Sequence, residues 1–558
     1  MSRRFPALAL AGAALLGPSA ALHAQAPILA GDTAARIDAV FAKYSDPGSP
    51  SPGCALNVVR QGVSAYEKGY GYASLEQGVP NGPRTVFDIG STSKQFTAAS
   101  LVLLAQDGKL SLDDDVRKYI PELPELGATV TIRHLLNHTS GWRDYTDLMV
   151  LAGWDERDHT TDREALEPLL RQKALNFAPG SDWRYSNSGY FLAGLVVSRV
   201  SGMPLREFAR RRIFAPLGMS DTRFLDDTRL VVPRRATGYA PGDSAGWVVE
   251  MSDWEQVGDG AVQTTVEDLA RWDANFYAPT VGGAGLPAAM QTRARLSDGR
   301  ELTYGLGLFV DDYHGERRVQ HGGAWAGYRA MLMRFPDRRL SVIVLCNSAE
   351  ANTMSLAQGV ADVFLAAPKT VAKAAPRAKP LPAAEAARYA GLWVSETVGT
   401  RARLEASDGA LSIRRGGQSV ALAPLGGGRF RDETTGATWS FTLPATGAAS
   451  AVVTRELTPT DRLTRVAPAP ADVTAHLDDY VGTYASDEVA AEWSIQLRDG
   501  RLVLHTRRGA DLPLEPVFAD AFGSPDVGVL RFVRDASGRV GAISLTTRGV
   551  HDLRLARR

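Results

Sequence analysis

The sequence predicts an α+β domain followed by two small antiparallel β-barrels, and three observations carry that expectation. Within residues 27–366, β-rich runs lie at both ends and amphipathic helical runs lie between them. Residues 367–384 then form a Pro/Ala/Lys linker. Beyond the linker the texture changes to short strands with Gly turns, and two signatures repeat. Tyr389-Ala390-Gly391 returns as Tyr480-Val481-Gly482, and Asp408-Gly409-Ala410-Leu411 as Asp499-Gly500-Arg501-Leu502, both at an offset of 91 (480 − 389 and 499 − 408). Each repeat, 385–470 and 471–558, has room for about eight short strands. Closing each into a barrel leaves no bare sheet edge, whereas one larger sandwich would.

The elements follow in order. Residues 1–26 carry Arg3 and Arg4, an apolar run over 7–16 and small residues up to Ala26, the pattern of a secretory signal cut near Ala24 or Ala26. That pattern implies export to a periplasmic or extracellular space. The apolar run is followed by no Cys, so no lipid anchor is expected, and no later segment reaches transmembrane length. Residues 32–44 read as a short amphipathic helix. Residues 54–59 and 63–70 read as a hairpin around Arg60-Gln61-Gly62. Residues 97–110 have the apolar spacing of a helix closed by Asp107-Gly108. Thr131 caps a short helix to residue 137, and helices are expected over 162–173, 189–201 and 204–213. Thr264 and Glu267 have the spacing of a capping box ahead of 269–276. The period then changes to strands at 304–310, 328–335 and 340–346, with Pro336-Asp337 turning the last two, and 348–365 closes the domain as a helix.

Composition narrows the function classes. Lys plus Arg and Asp plus Glu each number 62, for a formal net charge of zero, and no basic run suggests nucleic acid. Two Cys and nine scattered His make no metal-ligand spacing, so neither a metal nor another cofactor is expected. In an exported protein Cys54 and Cys346 can form one disulfide or stay two buried thiols.

Three motifs carry chemistry. Ser91 and Lys94 form Ser-x-x-Lys where the helical pattern begins. A serine at a helix N-terminus can point its hydroxyl into a cleft alongside the free N–H groups of the first turn. A lysine one turn on shares its face and can take its proton. Tyr185-Ser186-Asn187 precedes the helix at 189, and His321-Gly322-Gly323 precedes the strand at 328. Ser-x-x-Lys, Tyr-x-Asn and a basic residue with Gly two later, in that order, resemble the active-site set of the serine β-lactamase and penicillin-binding-protein family. Gly90-Ser91-Thr92-Ser93-Lys94-Gln95-Phe96-Thr97, Arg133-His134-Leu135-Leu136-Asn137-His138-Thr139-Ser140-Gly141 and Pro216-Leu217-Gly218-Met219 resemble the branch with class C β-lactamases and D-Ala-D-Ala carboxypeptidases. The resemblance spans about residues 32–366.

It implies an active-site-serine hydrolase, working through an acyl-enzyme on a small-molecule or short-peptide amide or ester. Ser91 is the expected nucleophile. Lys94 is the expected base; free lysine titrates near about 10.4, so this role requires surroundings that disfavour the ammonium. Tyr185 serves in the resembled enzymes as acid/base to the leaving group. Asn187 can hydrogen-bond Lys94 and the substrate amide. The N–H groups of Ser91 and Ala324 are the expected oxyanion hole, with Gly323 small enough to admit substrate. His321 stands where the β-lactamases carry Lys, which argues against efficient β-lactam hydrolysis and suggests weaker, pH-dependent carboxylate binding. His138 is expected to hold a loop. In the resembled fold the strands opening at Cys54 and closing at Cys346 are antiparallel neighbours, which would place the two Cys side by side.

A catalytic domain of this kind followed by two lipocalin-like barrels, with His-Gly-Gly, is most similar to the D-aminopeptidases of the family. In those enzymes a loop from the last barrel shortens the cleft. The expected equivalent is the stretch 518–528, with Asp520 or Asp526 available to meet a substrate ammonium. A carboxypeptidase, an endopeptidase, an esterase or a catalytically idle binding protein are the other readings.

Overall fold

The computed structural model describes residues 29 and 31–558 apart from 46–49, 244–245, 366–380, 396, 398, 416–417, 447, 455–459, 471–472, 507–510 and 525–526. The expected signal, most of the linker and Asp526 lie outside the described residues. Six strands build the catalytic sheet: β1 (Cys54–Arg60), β2 (Val63–Tyr70), β3 (Phe309–Tyr313), β4 (Glu316–Trp325), β5 (Tyr328–Phe335) and β6 (Leu340–Cys346). They lie in the order β3-β4-β5-β6-β1-β2, and every neighbouring pair is antiparallel.

The period-2 pattern of β6 decides its two faces. Val342, Val344 and Cys346 join Leu56 and Val58 under helices α1 (Gly31–Val40) and α4 (Thr353–Phe364), with Ile37, Leu356 and Val360 completing that layer. Ile343 and Leu345 face the other way, into the helical core around Phe96 and Trp272. That core is built on α2 (Lys94–Gln106), which is buried along nearly its whole length, and α3 (Asn187–Ser201) packs beside it. An apolar helix buried all round is the centre of a domain rather than its surface. Cys54 pairs directly opposite Cys346, with Cα atoms 4.0 Å apart, and the two form a disulfide.

Three local expectations are refined or corrected. His321-Gly322-Gly323 precedes the strand at Tyr328 as expected, but it is itself part of a strand, β4, that the pattern does not announce. Gly, Glu and Arg weaken β-propensity there, but pairing on both sides overrides it. Arg318 sits opposite Asp311 on β3, and the pair makes a buried two-pronged ion pair of 2.7 and 3.0 Å. Residues 304–310 are not one strand; only Phe309 and Val310 belong to β3. The helix at Val266–Ala274 is capped by Thr265, whose side chain accepts from the Asp268 N–H, while the Thr264 hydroxyl bonds that of Thr222 at 2.6 Å.

Beyond the linker lie two closed eight-stranded antiparallel barrels, spanning residues 391–466 and 482–557. The repeat signatures have a physical cause. Asp408-Gly409 and Asp499-Gly500 are hairpin turns with positive φ (52° and 79°, 49° and 74°). Tyr389 packs on Phe430 and Phe441 in the first barrel, as Tyr480 packs on Phe522 and Phe532 in the second.

The stretch 518–528 is not an irregular loop. It contains the end of strand Asp511–Phe518, a turn with Asp520 at φ 54°, and strand Ala521–Ser524. Phe522 is 1% exposed because alternation turns it into the barrel interior. Asp520 is committed within the barrel, accepting from the Tyr480 hydroxyl at 2.8 Å and from Arg534 Nε at 3.0 Å.

Another segment of the second barrel reaches the catalytic domain. The Gly549 carbonyl accepts from the Asp144 N–H and from Asn176 Nδ2, both at 2.9 Å, and its own N–H donates to Asp147. Arg143 donates to Glu488 at 2.7 Å with both side chains at least nine-tenths buried, and to the His551 carbonyl.

Candidate active site

Ser91 lies in the tight turn Gly90–Ser93 that leads into α2. Two close backbone approaches require glycine. Gly90 has φ +46°, and a Cβ there would come within 2.8 Å of the Ala324 nitrogen. A Cβ on Gly323 would overlap the Ile89 carbonyl oxygen, at 1.9 Å, and lie 3.1 Å from the Ser91 nitrogen. The turn therefore seats directly on β4, and the nitrogens of Ser91 and Ala324 border one small region. Thr92 ties the turn down by donating to the His321 carbonyl.

Lys94, fully buried, sits at the first residue of α2. Its Nζ lies 3.0 Å from Ser91 Oγ, 2.9 Å from Asn187 Oδ1 and 2.7 Å from the Asp259 carbonyl. The last two groups can only accept. They take two N–H bonds, so the third position of the amine points at Ser91. As ammonium it donates to Oγ; as amine its lone pair accepts the hydroxyl proton. The ring of Tyr185 lies 4.9 Å from the same nitrogen. The Tyr185 hydroxyl is buried and has no hydrogen-bond partner among the described residues.

The Tyr185-Ser186-Asn187 segment is held from behind. Asp144 accepts the Asn187 N–H at 2.5 Å, and Ser188 Oγ bridges the Arg143 carbonyl and the Tyr145 N–H. His138 accepts the Ser186 N–H on Nδ1 at 3.1 Å and stacks its ring on Tyr185, with centroids 4.2 Å apart. Burial, with Lys94 and His321 nearby, holds its pKa well below the ordinary range, so the ring is neutral. This is the loop-holding position expected for it.

His321 departs from the expectation of partial charge. Its Nδ1 lies 2.6 Å from the Gly322 carbonyl, which only accepts, so the proton is on Nδ1. Nε2 then accepts from the Tyr304 hydroxyl at 3.0 Å. Burial, reinforced by Lys94, pushes its pKa down to about 3, against the pull of the Gly322 bond. His321 is a neutral wall residue and gives no charge to a substrate carboxylate. The cause is tertiary: 2% exposure and a tyrosine partner remote from the motif.

The cleft at Ser91 has two lobes. One, of about 700 Å³, is lined by Tyr185, Asn187, His321, Gly323, Arg548 and Gly549 among others. The other, of about 180 Å³, is lined by Tyr145, Trp254, Asp259 and Trp325 among others, with Ser91, Asn187 and Ala324 common to both. Asp520 borders neither lobe. The second barrel contributes Arg548 and Gly549 instead. Motif reading also missed Asp144, Tyr304 and Asp259. The first two carry no local signal; Asp259 does, as an acid between Gly258 and Gly260.

A serine, a buried lysine and a tyrosine on this sheet-and-helix framework define an active-site serine hydrolase. The beta-lactamase family profile matches residues 37–365, and the chain belongs to that family. It is similar to penicillin-binding protein 4* of Bacillus subtilis, with 29% identity over 70% of this chain and 89% of that one. It is 30% identical to a D-aminopeptidase of Brucella anthropi over 69% of this chain and 71% of the relative. Among solved structures, the octameric penicillin-binding protein homologue of Pyrococcus abyssi superposes with a TM-score of 0.54 at 23% identity, covering 78% of this chain and 99% of that one.

Proposed function

We propose that this protein removes an N-terminal D-amino acid from amides and short peptides through an acyl-enzyme on Ser91. The Lys94 nitrogen, 3.0 Å from Ser91 Oγ and held by two acceptor-only groups, is the observation that carries the chemistry. Ser91 Oγ bonds to the substrate carbonyl carbon as its proton passes to Lys94. The carbonyl oxygen takes the electron pair and is met by the Ser91 and Ala324 N–H groups. The C–N bond then breaks, and Tyr185 hands the departing amine a proton replenished from Lys94. Water, deprotonated along the same path, attacks the ester carbonyl and returns Ser91.

The choice of D-aminoacyl substrates rests on two supports. The relatives at 29–30% identity include enzymes named D-aminopeptidase, and the Arg548-Gly549 segment of the second barrel narrows the large lobe, which suits short substrates. Neutral His321 disfavours the carboxypeptidase reading, in which a cation meets the substrate carboxylate. The leader-like residues 1–26 and the Cys54–Cys346 disulfide support an exported, oxidising location.

The test is a panel of D- and L-alanine p-nitroanilides, a D-Ala-D-Ala peptide, p-nitrophenyl butyrate and nitrocefin, compared by kcat/KM. The D-anilide is expected to lead. A lead for the ester or the D-Ala-D-Ala peptide would replace this reading with an esterase or a carboxypeptidase. Lys94→Ala is expected to lower acylation by at least about 10³ while the fold is kept.

A further inference from the structure

Beyond Ser91, Asn187 and Ala324, the smaller lobe carries side chains that the acyl-transfer chemistry does not use. Asp259 lines it at 9% exposure, and its two oxygens differ. Oδ2 accepts from the Tyr145 hydroxyl at 3.1 Å, whereas Oδ1 is buried and has no hydrogen-bond partner among the described residues. A buried carboxylate oxygen without a donor is costly to a fold and calls for a role. The walls around it are aromatic. Trp254 and Trp325 have ring centroids 5.4 Å apart, and Tyr145 and Trp254 6.3 Å. The Trp254 ring is oriented by its Nε1, which donates to the Asp155 carbonyl at 2.8 Å. A carboxylate set among aromatic faces is the chemistry that takes an alkylammonium, by ion pairing and by attraction to the ring quadrupoles.

We infer that the Asp259 lobe is the recognition site for the substrate's free ammonium group, with Tyr145, Trp254 and Trp325 as its aromatic walls. The lobe opens on Ser91, so an amine seated in it holds the adjacent carbonyl over the nucleophile. At about 180 Å³ it suits the head of one small amino acid. Two other charged groups line it, Asp88 and Arg235. Both oxygens of Asp88 are occupied, by the Gly90 N–H at 2.7 Å and by Gln263 Nε2 at 2.8 Å. Burial raises the Asp88 carboxyl to about 6, against the pull of its Gly90 bond and of nearby Arg235. Burial raises the Asp259 carboxyl to about 6, against the pull of Lys94. It is charged at neutral pH, and a bound ammonium strengthens that state.

This inference rests on the D-aminoacyl reading, and the experiment separates the two. The wild type and Asp259→Asn are assayed on the p-nitroanilides of D-alanine, N-acetyl-D-alanine and N-succinyl-D-alanine. Independently, n-butylammonium and n-butanol are compared as competitive inhibitors of wild-type p-nitrophenyl acetate hydrolysis. The expected results are a wild-type preference for the free amine over the acetylated substrate, a fall in that ratio of at least about 30-fold in the variant, and n-butylammonium binding at least about tenfold tighter than n-butanol. An unchanged ratio in a folded variant overturns the inference while the D-aminoacyl reading stands. A wild-type preference for the succinylated substrate assigns the lobe to Arg235 and also overturns it. If no D-anilide is turned over, the D-aminoacyl reading fails and the inhibitor pair decides the lobe. Equal binding of the two inhibitors refutes ammonium recognition, and it does so even where the variant does not fold.

Discussion

Asp144 is held by two parts of the chain at once: its N–H donates to the Gly549 carbonyl of the second barrel at 2.9 Å, while its carboxylate accepts the Asn187 N–H at 2.5 Å. Asn187 in turn holds Lys94. One residue therefore links the C-terminal barrel, through Asn187, to the Lys94 beside Ser91.

That link is tightest at Gly549. A Cβ there would lie 2.5 Å from Asp144 Cβ and 2.9 Å from the Asp147 carboxylate. Gly549→Val is expected to push the segment out of the large lobe. The kcat/KM for tripeptide amides should rise relative to single-residue amides by about tenfold, with total activity reduced. An unchanged ratio would show that this segment does not limit substrate length.

Glu488 and Arg143 form a buried pair across the same interface, and Glu488 also accepts the Lys173 N–H at 2.9 Å. Removing one partner leaves an uncompensated buried charge. Glu488→Ala is therefore expected to cost about 3–5 kcal/mol, read as a lowered denaturant midpoint. Because Arg143 neighbours Asp144, kcat should fall as well. Small-angle scattering reports whether the barrel has come away.

His321 has a signature in stability against pH. Its folded pKa, about 3, lies below the ordinary value near 6.5. Between those values the unfolded chain binds the extra proton, so stability rises with pH across the window and is lost as pH falls through it. One such group contributes about 3 kcal/mol of loss on going from pH 7 to pH 4. In His321→Asn the stability-against-pH slope should flatten by about that amount, whatever the variant's stability at pH 7. The raised carboxyls of Asp88 and Asp259, each about 6, act with the opposite sign in both proteins and cancel from the comparison.

The Cys54–Cys346 disulfide joins residues 292 apart in sequence and ties the first sheet strand to the last. Cross-links over long loops restrict the unfolded chain most. Cys54→Ala with Cys346→Ala is expected to lower stability by about 2–5 kcal/mol, measured by chemical denaturation. Activity at room temperature should change little, since both side chains face the α1 and α4 layer rather than the cleft. A double variant as stable as the parent would show that strand pairing alone sets this end of the sheet.

Ser91, Lys94, Tyr185 and Asn187 were legible in the sequence because each sits in a short motif whose geometry is local: a turn entering α2 and a turn entering α3. The barrels were legible because a fold built twice repeats its Asp-Gly turns and its packed tyrosines. The charge of His321 was not, since it depends on burial and on Tyr304, 17 residues away. Nor was β4, whose glycines and charges become a strand only when β3 and β5 pair with them. Composition points to 518–528 as the cleft segment of the second barrel, whereas the structure places 548–549 there. Barrel alternation consumes the first stretch internally, whereas docking on Asp144 and Asp147 selects the second. Sequence by itself determined the chemistry that neighbouring residues can encode. Tertiary structure alone decided what depends on groups brought together from separate parts of the chain: which histidine is neutral, which carboxylate lines the small lobe, and which barrel loop lines the cleft.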